Sequence, residues 1–466
     1  MFNAIFQRPN SNGRSGNAAV NPAVLALARW QAEDYADQQR HYVDLRRWHD
    51  GDHRVPLTDR QREYLALNSG FPWAMNYLRL PVDLCVERLT IIGFDGPEGI
   101  GGEGGLLDEW WTSGRMDAIQ SQVHRAAARD GDTYILVEWD ADTGRPTFSH
   151  EPAHDGDEGM KVHYLSNLRR EMTMASKVWT ERRWDDAGQL QTTRRLNLYL
   201  PDRLERYIEN GRGWQTFEEP GYPWPIPNPI GRIPVIHFRW HDGGDNWGEA
   251  EAEPLIPLQM ALNKSAIDLL EAADKTGAAL LTLTGATWPA NAPTVRAGDV
   301  LSVTAADAHW GSIPPGDLAQ LREVVNDFIV RMAQLSHIPL QYFQVTGQIA
   351  SSATQAADDG QLVAKVRSLA VAIGNAWEDA MYVGLKLNEV YGDGRDLARG
   401  ENIETRWADF ERVDRLAIEE RRAGIVQALS AAGLAVEGIV ALAALGYSQE
   451  ERAALLQQDV VNGVAQ

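Results

Sequence analysis

Hydrophobic positions recur at helical spacing near the start of the chain. Tyr42, Leu45 and Trp48 follow one another every three residues, which places them on one face of a predicted helix over residues 22–49. Gly51 is suited to the C-terminal stop of that helix. The preceding residues 1–21 are polar and rich in Gly and Asn, and we expect a disordered tail here, with residues 1–24 as its outer bounds.

Two further helices are predicted before the pattern changes. Thr58 and Gln61 have the spacing of a capping box, in which two side chains satisfy the first free amides of a helix. Residues 73–88 are also expected to be helical, with Pro81 kinking or splitting the helix because proline has no amide hydrogen.

From residue 89 the hydrophobic pattern shifts to short runs and alternation, which indicate strands. Turn residues between the runs favour antiparallel hairpins. The fold class expected for this region is therefore α+β. The predicted elements are strands over residues 89–94, 132–139, 172–184, 190–200 and 233–240, helices over 106–111 and 115–129, and a hairpin over 207–217.

The C-terminal half is predicted to be mainly helical. Amphipathic helices are expected over residues 254–275 and 317–336, with short strands and turns between them and a polar loop after them. Long helical segments are expected over 353–390 and 401–462. The apolar face of the first pair contains Leu258, Leu262 and Leu269 on one helix and Leu321, Val325, Phe328 and Met332 on the other.

Composition and charge exclude several classes of protein. The 466 residues carry 44 basic and 65 acidic side chains, a formal charge of −21, so the chain lacks the basic face of a conventional DNA clamp and does not suit an anionic membrane. Cys85 is the only cysteine, which excludes an intrachain disulfide and a cysteine-based zinc site. With no apolar run of about 20 residues, we expect no membrane span. These features indicate a soluble protein made in a reducing cytoplasm.

One motif matches a zinc-protease pattern in its letters. Residues 150–154 read H-E-x-x-H, which requires a helix to bring both imidazoles to one metal ion. Pro152 lies inside the turn that such a helix needs, and residues 145–149 have an extended pattern. We therefore interpret His150, Glu151 and His154 as part of a surface turn after a strand. A zinc-dependent hydrolase stays open as the alternative function.

Other candidate motifs are weaker. The G-x-G-x-x-G letters at 99–104 do not follow a strand directly, so a Gly-rich loop is the favoured interpretation. The acidic run from Asp242 to Glu253 lacks calcium-loop spacing and is expected to be a solvated approach to a helix, with divalent-ion binding left open. Cys85 is expected to be a small core residue. No nucleotide-binding motif is present, so no cofactor is predicted.

The order of several moderately specific segments is more informative. A strand, Asn228 to Phe238, contains N-x-x-G-x-I-P-V and is followed by a helix that contains L-Q-x-x-L-N-K up to Lys264. These segments resemble the portal proteins, or head-to-tail connectors, of tailed bacteriophages. Supporting segments are the aromatic helix ending at Gly51, N…G-F at 76–94, G-x-x-Y-x-x-V at 131–137, and the segment from Ile338-Pro339 through Ser351-Ser352 to Lys365. The departure is Ser-Ser-Ala-Thr at 351–354, where the family often has S-G-E-A.

The resemblance covers residues 25–460 and implies a portal-type fold with named parts. These are a wing (25–250), a first stem helix (251–275), a clip (276–316), a second stem helix (317–337), a tunnel loop (338–352), a long wing and tunnel helix (353–400) and an α-helical crown (401–466). The apolar faces of the helices predicted over 254–275 and 317–336 would pack in the stem and between subunits. The tunnel loop would line a DNA channel with the polar, uncharged residues Gln341, Gln344, Thr346, Gln348, Ser351 and Ser352.

The function implied by the resemblance is structural, not enzymatic. Family members form a ring of about twelve subunits at one unique capsid vertex of the virion, after assembly in the host cytoplasm. The ring conducts double-stranded DNA during genome packaging and ejection. The implied partners are the large terminase subunit, the head-tail adaptor protein, and the major capsid and scaffolding proteins, with no membrane. A soluble α+β interaction scaffold without a DNA role is the second alternative.

Overall fold

The computed structural model describes most of the chain between residues 33 and 410. The described ranges are 33–53, 55–68, 74–97, 99–156, 158–164, 172–184, 188–210, 213–218, 221–243, 246–276, 280–285, 307–313, 318–343, 359–392 and 403–410. The predicted tail 1–24 and most of the predicted crown therefore lie outside the described residues.

Helices and strands occur in separate runs along these ranges, with consecutive strands between residues 132 and 239. The helices are α1 (Glu33–Asp50), α2 (Asp59–Asn68), α3 (Arg79–Arg88), α4 (Leu106–Ser113), α5 (Met116–Asp130), α6 (Ile256–Thr276), α7 (Ala319–Ser336) and α8 (Gly360–Tyr391). The strands are β1 (Ile91–Asp95), β2 (Asp132–Asp140), β3 (Arg145–Pro152), β4 (Gly159–Tyr164), β5 (Met172–Trp184), β6 (Leu190–Tyr199), β7 (Arg203–Asn210), β8 (Gly213–Thr216), β9 (Ile226–Pro227), β10 (Val235–Arg239), β11 (Leu280–Thr284), β12 (His309–Ile313) and β13 (Glu404–Trp407).

The strands form antiparallel sheets, which confirms the α+β prediction. One sheet has the order β10-β2-β3, and a larger one has the order β4-β5-β6-β7-β8, with β9 pairing to β7. Two small sheets pair β1 with β13 and β11 with β12. The predicted hairpin of β5 and β6 is confirmed, with Trp184 opposite Leu190 as the pair next to its turn.

Strand β2 is buried on both faces and separates two apolar clusters. Ile135 and Val137 contribute to the larger cluster, which includes Trp377 of α8. Tyr134 and Leu136 point to the opposite face, as alternation along a strand requires, and join a second cluster with Tyr42 of α1. This two-sided burial explains why the sequence of β2 is a continuous apolar run.

The capping box is confirmed. The Gln61 amide donates to Thr58 Oγ1 at 3.3 Å, and the Thr58 amide donates to Gln61 Oε1 at 3.2 Å. The start of α1 predicted at residues 22–32 lies outside the described part of the chain. The buried face predicted for α1 is present, since Tyr42 and Leu45 are both buried.

The helix predicted over residues 73–88 begins later, at Arg79. Before it, the amide of Met75 donates to Asn263 Oδ1 and that of Tyr77 donates to Gln259 Oε1, each at 3.0 Å. These side chains take the place of helical carbonyl partners. Pro81 is the third residue of α3, in the first turn, where amide hydrogens have no intrahelical acceptor. It therefore removes no hydrogen bond of the helix and does not kink or split it as predicted.

One predicted helical segment contains a strand instead. Residues 401–462 were expected to be helical, but Glu404–Trp407 pairs antiparallel with β1. The Thr405 amide donates to Glu378 Oε1 of α8 at 2.9 Å, and the Thr405 hydroxyl donates to the Gly374 carbonyl at 3.2 Å. Packing on α8 and an available strand edge therefore outweigh local helix preference here. Residues 411–462 lie outside the described part.

The remaining C-terminal elements follow the predicted order. A 3-10 turn at Glu253–Leu255 leads into α6, and a second, Leu340–Tyr342, follows α7. Helices α6 and α7 pack against each other. Among the described helices, none has both the length and the apolar character that a bilayer span requires.

Candidate functional site

Most of the residues predicted to line a channel cannot be placed. Gln341 lies in the 3-10 turn after α7 and is partly buried. Gln344, Thr346, Gln348, Ser351 and Ser352 lie outside the described residues. The described residues that flank this gap are Phe343, within the predicted loop 338–352, and Asp359, which lies beyond it.

The described residues on the two sides of this gap are held by one buried arginine. Arg88, the last residue of α3, donates from Nη2 to the Tyr342 hydroxyl and to Asp359 Oδ2, each at 3.0 Å. The Tyr342 hydroxyl also donates to Asp359 Oδ2 at 3.1 Å. Because the side chain of Arg88 is only 5% exposed, solvent screens this ion pair weakly. Tyr342 before the gap and Asp359 after it thus meet at one fixed point of the fold.

The residues predicted for the stem divide between core and surface. Leu262, Val325 and Met332 are buried, so they contribute to the core of this chain. Leu258, Leu269 and Phe328 are partly buried against that core. Three apolar side chains of α7 are exposed: Leu321 by 37%, Val324 by 46% and Leu335 by 57%. Helix α7 therefore keeps part of its apolar surface in contact with solvent in the single chain.

Two buried polar side chains join α6 to the segments around His53 and Met75. Gln259 donates to the Met75 carbonyl and accepts from the Tyr77 amide, while Asn263 contacts the Met75 amide and His53 Nδ1. Both side chains are fully buried. Sequence reasoning did not single them out, although they are the Gln and Asn of L-Q-x-x-L-N-K. A polar residue on the apolar face of a helix was the available signal.

The acidic run 242–253 is not uniformly solvated, and that prediction is wrong for Glu251. This side chain is buried, and its carboxylate accepts from Trp240 Nε1 at 2.8 Å and pairs with His241 and Lys365. Burial alone would raise the pKa of Glu251, but the bonds from His241 and Lys365 outweigh it and the pKa lies below its usual value. Lys365 of α8 also donates to the Ser336 carbonyl at 2.9 Å, which ties α8 to the end of α7.

The H-E-x-x-H letters do not form a metal site in this fold. His150 and Glu151 lie in β3, where successive side chains point to opposite faces. His150 Nε2 is 2.8 Å from Thr133 Oγ1, and His154 Nδ1 is 2.6 Å from Gln39 Oε1. Residues 145–149 are in a strand as predicted, but β3 continues to Pro152. The predicted surface turn is therefore wrong for His150 and for Glu151, which is also buried and paired with Lys177. Within the described residues, no group of three acidic, His or Cys side chains has the arrangement of a metal site.

The glycine letters at 99–104 form a tight connection between β1 and α4. A Cβ on Gly101 would come within 2.2 Å of the Gly96 nitrogen, so the loop requires glycine where it folds on itself. The Gly102 amide donates to the Phe94 carbonyl at 2.8 Å.

Cys85 is fully buried, which confirms its assignment to the core.

Comparison with solved structures gives similarities at low sequence identity, among them two chains of gene transfer agent particles. No protein-family model matches the chain, and no curated protein matches it. The neck of an empty GTA particle, computed with C6 symmetry, is similar at a TM-score of 0.43 and 14% identity, covering 85% of this chain and 96% of that one. A chain of the virion of a native gene transfer agent (GTA) particle is similar at a TM-score of 0.36 and 14% identity, covering 83% and 98%. Similarity at this level carries no functional conclusion for this chain.

Proposed function

We propose that this chain is a portal protein of a tailed bacteriophage, which forms a ring at one capsid vertex and conducts double-stranded DNA. The observation that supports this best is the order of motifs and elements taken together. The I-P-V segment leads into β10, L-Q-x-x-L-N-K lies on α6, and α6 and α7 flank the small β11–β12 sheet. The 32-residue helix α8 begins directly after Asp359, the residue that pairs with Arg88.

The proposal assigns a role to each of these parts. Helices α6 and α7 are the stem, β11 and β12 belong to the clip, and α1 to β10 form the wing. The buried contacts of Gln259 and Asn263 hold the stem to the wing, and Lys365 holds α8 to the stem through Glu251 and the Ser336 carbonyl. Exposed apolar residues on α7, such as Leu335, fit a helix that packs against neighbouring subunits.

The negative net charge of the chain supports a channel through which DNA can slide without being bound tightly. With about twelve subunits the ring carries roughly 12 × 21 = 252 net negative charges, which repel phosphates within a Debye length of about 10 Å. A lining of polar, uncharged residues such as Gln344 and Gln348 permits transient contacts to the DNA backbone without trapping the duplex. The clip is the surface proposed to meet the large terminase subunit and later the head-tail adaptor. Major capsid and scaffolding proteins are the proposed partners at the vertex.

The mass and shape of the purified protein test this function. We expect negative-stain images of closed rings with a central channel, and a light-scattering mass of about twelve times 51.8 kDa. A stable 51.8 kDa monomer at all salt concentrations, which also fails to form rings with capsid or scaffolding protein, would contradict the proposal.

A further inference from the structure

Four polar side chains form a continuous chain of hydrogen bonds beside the apolar cluster of Tyr42. Arg239 of β10 donates from Nη2 to the Tyr164 hydroxyl at 2.7 Å. The Tyr164 oxygen lies 2.6 Å from His237 Nδ1, and His237 Nε2 lies 2.7 Å from Asp132 Oδ1. The side chains of His237 and Asp132 are only 3% and 0% exposed, so water competes little for these bonds.

The groups at the two ends of this chain fix where its protons lie. A carboxylate only accepts, so His237 donates from Nε2 to Asp132. Nδ1 of the neutral imidazole is then an acceptor, and the Tyr164 hydroxyl donates to it. A guanidinium only donates, which agrees with this direction, because Arg239 donates to the oxygen of that hydroxyl. The chain therefore runs from a cation to an anion through two neutral groups.

The bond between Tyr164 and His237 joins the two larger sheets. Tyr164 ends β4, the first strand of the β4-β5-β6-β7-β8 sheet, whereas His237 lies on β10 of the β10-β2-β3 sheet. The carboxylate at the end of the chain is held by two further donors. Tyr42 of α1 donates to Asp132 Oδ2 at 2.6 Å, and the Gly248 amide donates to Oδ1 at 2.7 Å. The joint thus connects α1, both sheets and the segment after β10.

The ionisable and aromatic groups around His237 come from each of these elements. They are Asp132 and Tyr134 of β2, Tyr164 of β4, Arg239 of β10, Asp242 and Trp247 of the following segment, and Tyr42 of α1 through Asp132. Burial lowers the pKa of His237 more strongly than the charge of Asp132 raises it, and Arg239 adds to the lowering. His237 is therefore neutral at pH 7.5 and takes up a proton only in acid.

We propose that this chain of bonds is an acid-operated joint, in which proton uptake by His237 reverses the Tyr164 bond and loosens β4 from β10. The second proton of His237 occupies Nδ1, where it meets the hydroxyl proton of Tyr164. The phenol then has to turn its proton away and accept from both His237 and Arg239, two cations that repel each other. This inference goes beyond the proposed function and holds whether or not the chain forms a ring.

Hydrogen exchange followed by mass spectrometry tests the joint in the full-length protein. Exchange in β4 is compared with exchange in β7, which belongs to the same sheet but contributes no side chain to the joint. After correction for intrinsic rates, the protection of β4 relative to β7 should fall about tenfold between pH 7.5 and about pH 4.5, because local opening follows protonation of His237. Equal relative protection at both pH values would overturn the proposal.

Two substitutions separate an acid-operated joint from a contact that is only structural. His237→Gln retains a donor and an acceptor but does not titrate, so β4 should stay as protected in acid as at pH 7.5. Tyr164→Phe removes the hydroxyl that joins the sheets, so β4 should exchange fast at both pH values. A contact without the switch would lower the protection in each variant and leave its dependence on pH unchanged.

The matched control is Tyr342→Phe. The Tyr342 hydroxyl also accepts from an arginine, Arg88, at 3.0 Å, but it donates to a carboxylate instead of a histidine. This variant should keep the wild-type dependence on pH in β4. The competing sensor is His163, a buried histidine on β4 itself. If His163 were responsible, His237→Gln would lose protection in acid as the wild type does, which would overturn the role of His237. Wild-type dependence on pH in Tyr164→Phe would do so too, even if His237→Gln does not fold.

Discussion

Trp377 donates a hydrogen bond from its indole Nε1 to Nε2 of His124 at 2.9 Å, inside the core. On the other side of the ring, Nδ1 lies 3.0 Å from the Leu89 carbonyl. Since indole and carbonyl have one role each, Nε2 accepts, Nδ1 carries the proton, and the imidazole is neutral. This contact fixes α5, α8 and the residues before β1 against one another without leaving a polar atom of the imidazole unpaired.

The first prediction is that His124 makes the fold sensitive to acid. Burial lowers the pKa of His124 from 6.5 to about 4. Below pH 6.5 the unfolded chain takes up a proton that the folded chain refuses until about pH 4, so the free energy of unfolding falls as the pH falls through this interval. The loss from this site is about 3 kcal/mol. Urea unfolding between pH 4 and pH 7.5 measures it.

The control for this prediction is His124→Gln, which does not titrate. It retains a donor and an acceptor, and although it lowers stability at pH 7, its unfolding free energy should depend less steeply on pH than that of the wild type. His237, which is also buried, titrates in both proteins and cancels in the comparison. Parallel pH profiles for the two proteins would show that His124 is not protonated on unfolding.

The second prediction concerns Arg88, which bonds to Tyr342 in the proposed tunnel loop and to Asp359 beyond it. Arg88→Met leaves the carboxylate of Asp359 buried without its cation, at a cost of about 3–5 kcal/mol in unfolding free energy. The matched control is Arg331→Met on α7, which removes an ion pair to Asp327 whose partners are both 58% exposed, and should cost less than about 1 kcal/mol. Denaturant titration of both variants compares them, and similar losses would show that the Arg88 pair contributes no more than a surface pair.

Local patterns predicted the elements, and long-range contacts decided where the predictions failed. The capping box of α2 and the β5–β6 hairpin depend on neighbouring residues, and both are present. Residues 75–77 are not helical because their amides bond to Gln259 and Asn263, more than 180 positions away. No window of sequence shows such a partner, and the same holds for the strand at 404–407.

The candidate site was less accessible to sequence reasoning than the fold. Composition identified the polar loop 338–352, but it did not identify Arg88, because a single arginine at the end of an apolar helix has no distinctive pattern. Glu251 was hidden for a similar reason. Its partners Trp240 and Lys365 are contributed by other segments, and only the folded chain brings them to one carboxylate.

The third prediction uses two glycines of α8 that differ only in surroundings. A Cβ at Gly374 would meet Thr405 and Trp407 at 3.5 Å, an ordinary contact, so Gly374→Ala should stabilise the protein by about 0.5–1 kcal/mol through helix propensity. At Gly384 the Cβ would lie 3.1 Å from Trp110 and 3.2 Å from Phe148, both buried. Gly384→Ala should therefore lose that gain or destabilise the fold. Thermal unfolding of the two variants measures the difference, and equal gains would show that the Trp110 side of the core is loosely packed.

The last prediction concerns the proposed tunnel loop itself. Because Arg88 holds Tyr342 before the deleted segment and Asp359 after it, deleting residues 345–350 should leave ring formation and thermal stability nearly unchanged. DNA packaging into proheads should nevertheless fail or stall. Gln344→Lys with Gln348→Lys would add about 2 × 12 = 24 cations around a channel of about twelve subunits. This should slow translocation more in low salt than in high salt, since salt screens the attraction to phosphate. The paired change to Glu at both positions is the control, and it should lack this slowing. Wild-type packaging rates in the deletion variant would mean that the loop does not touch the moving duplex.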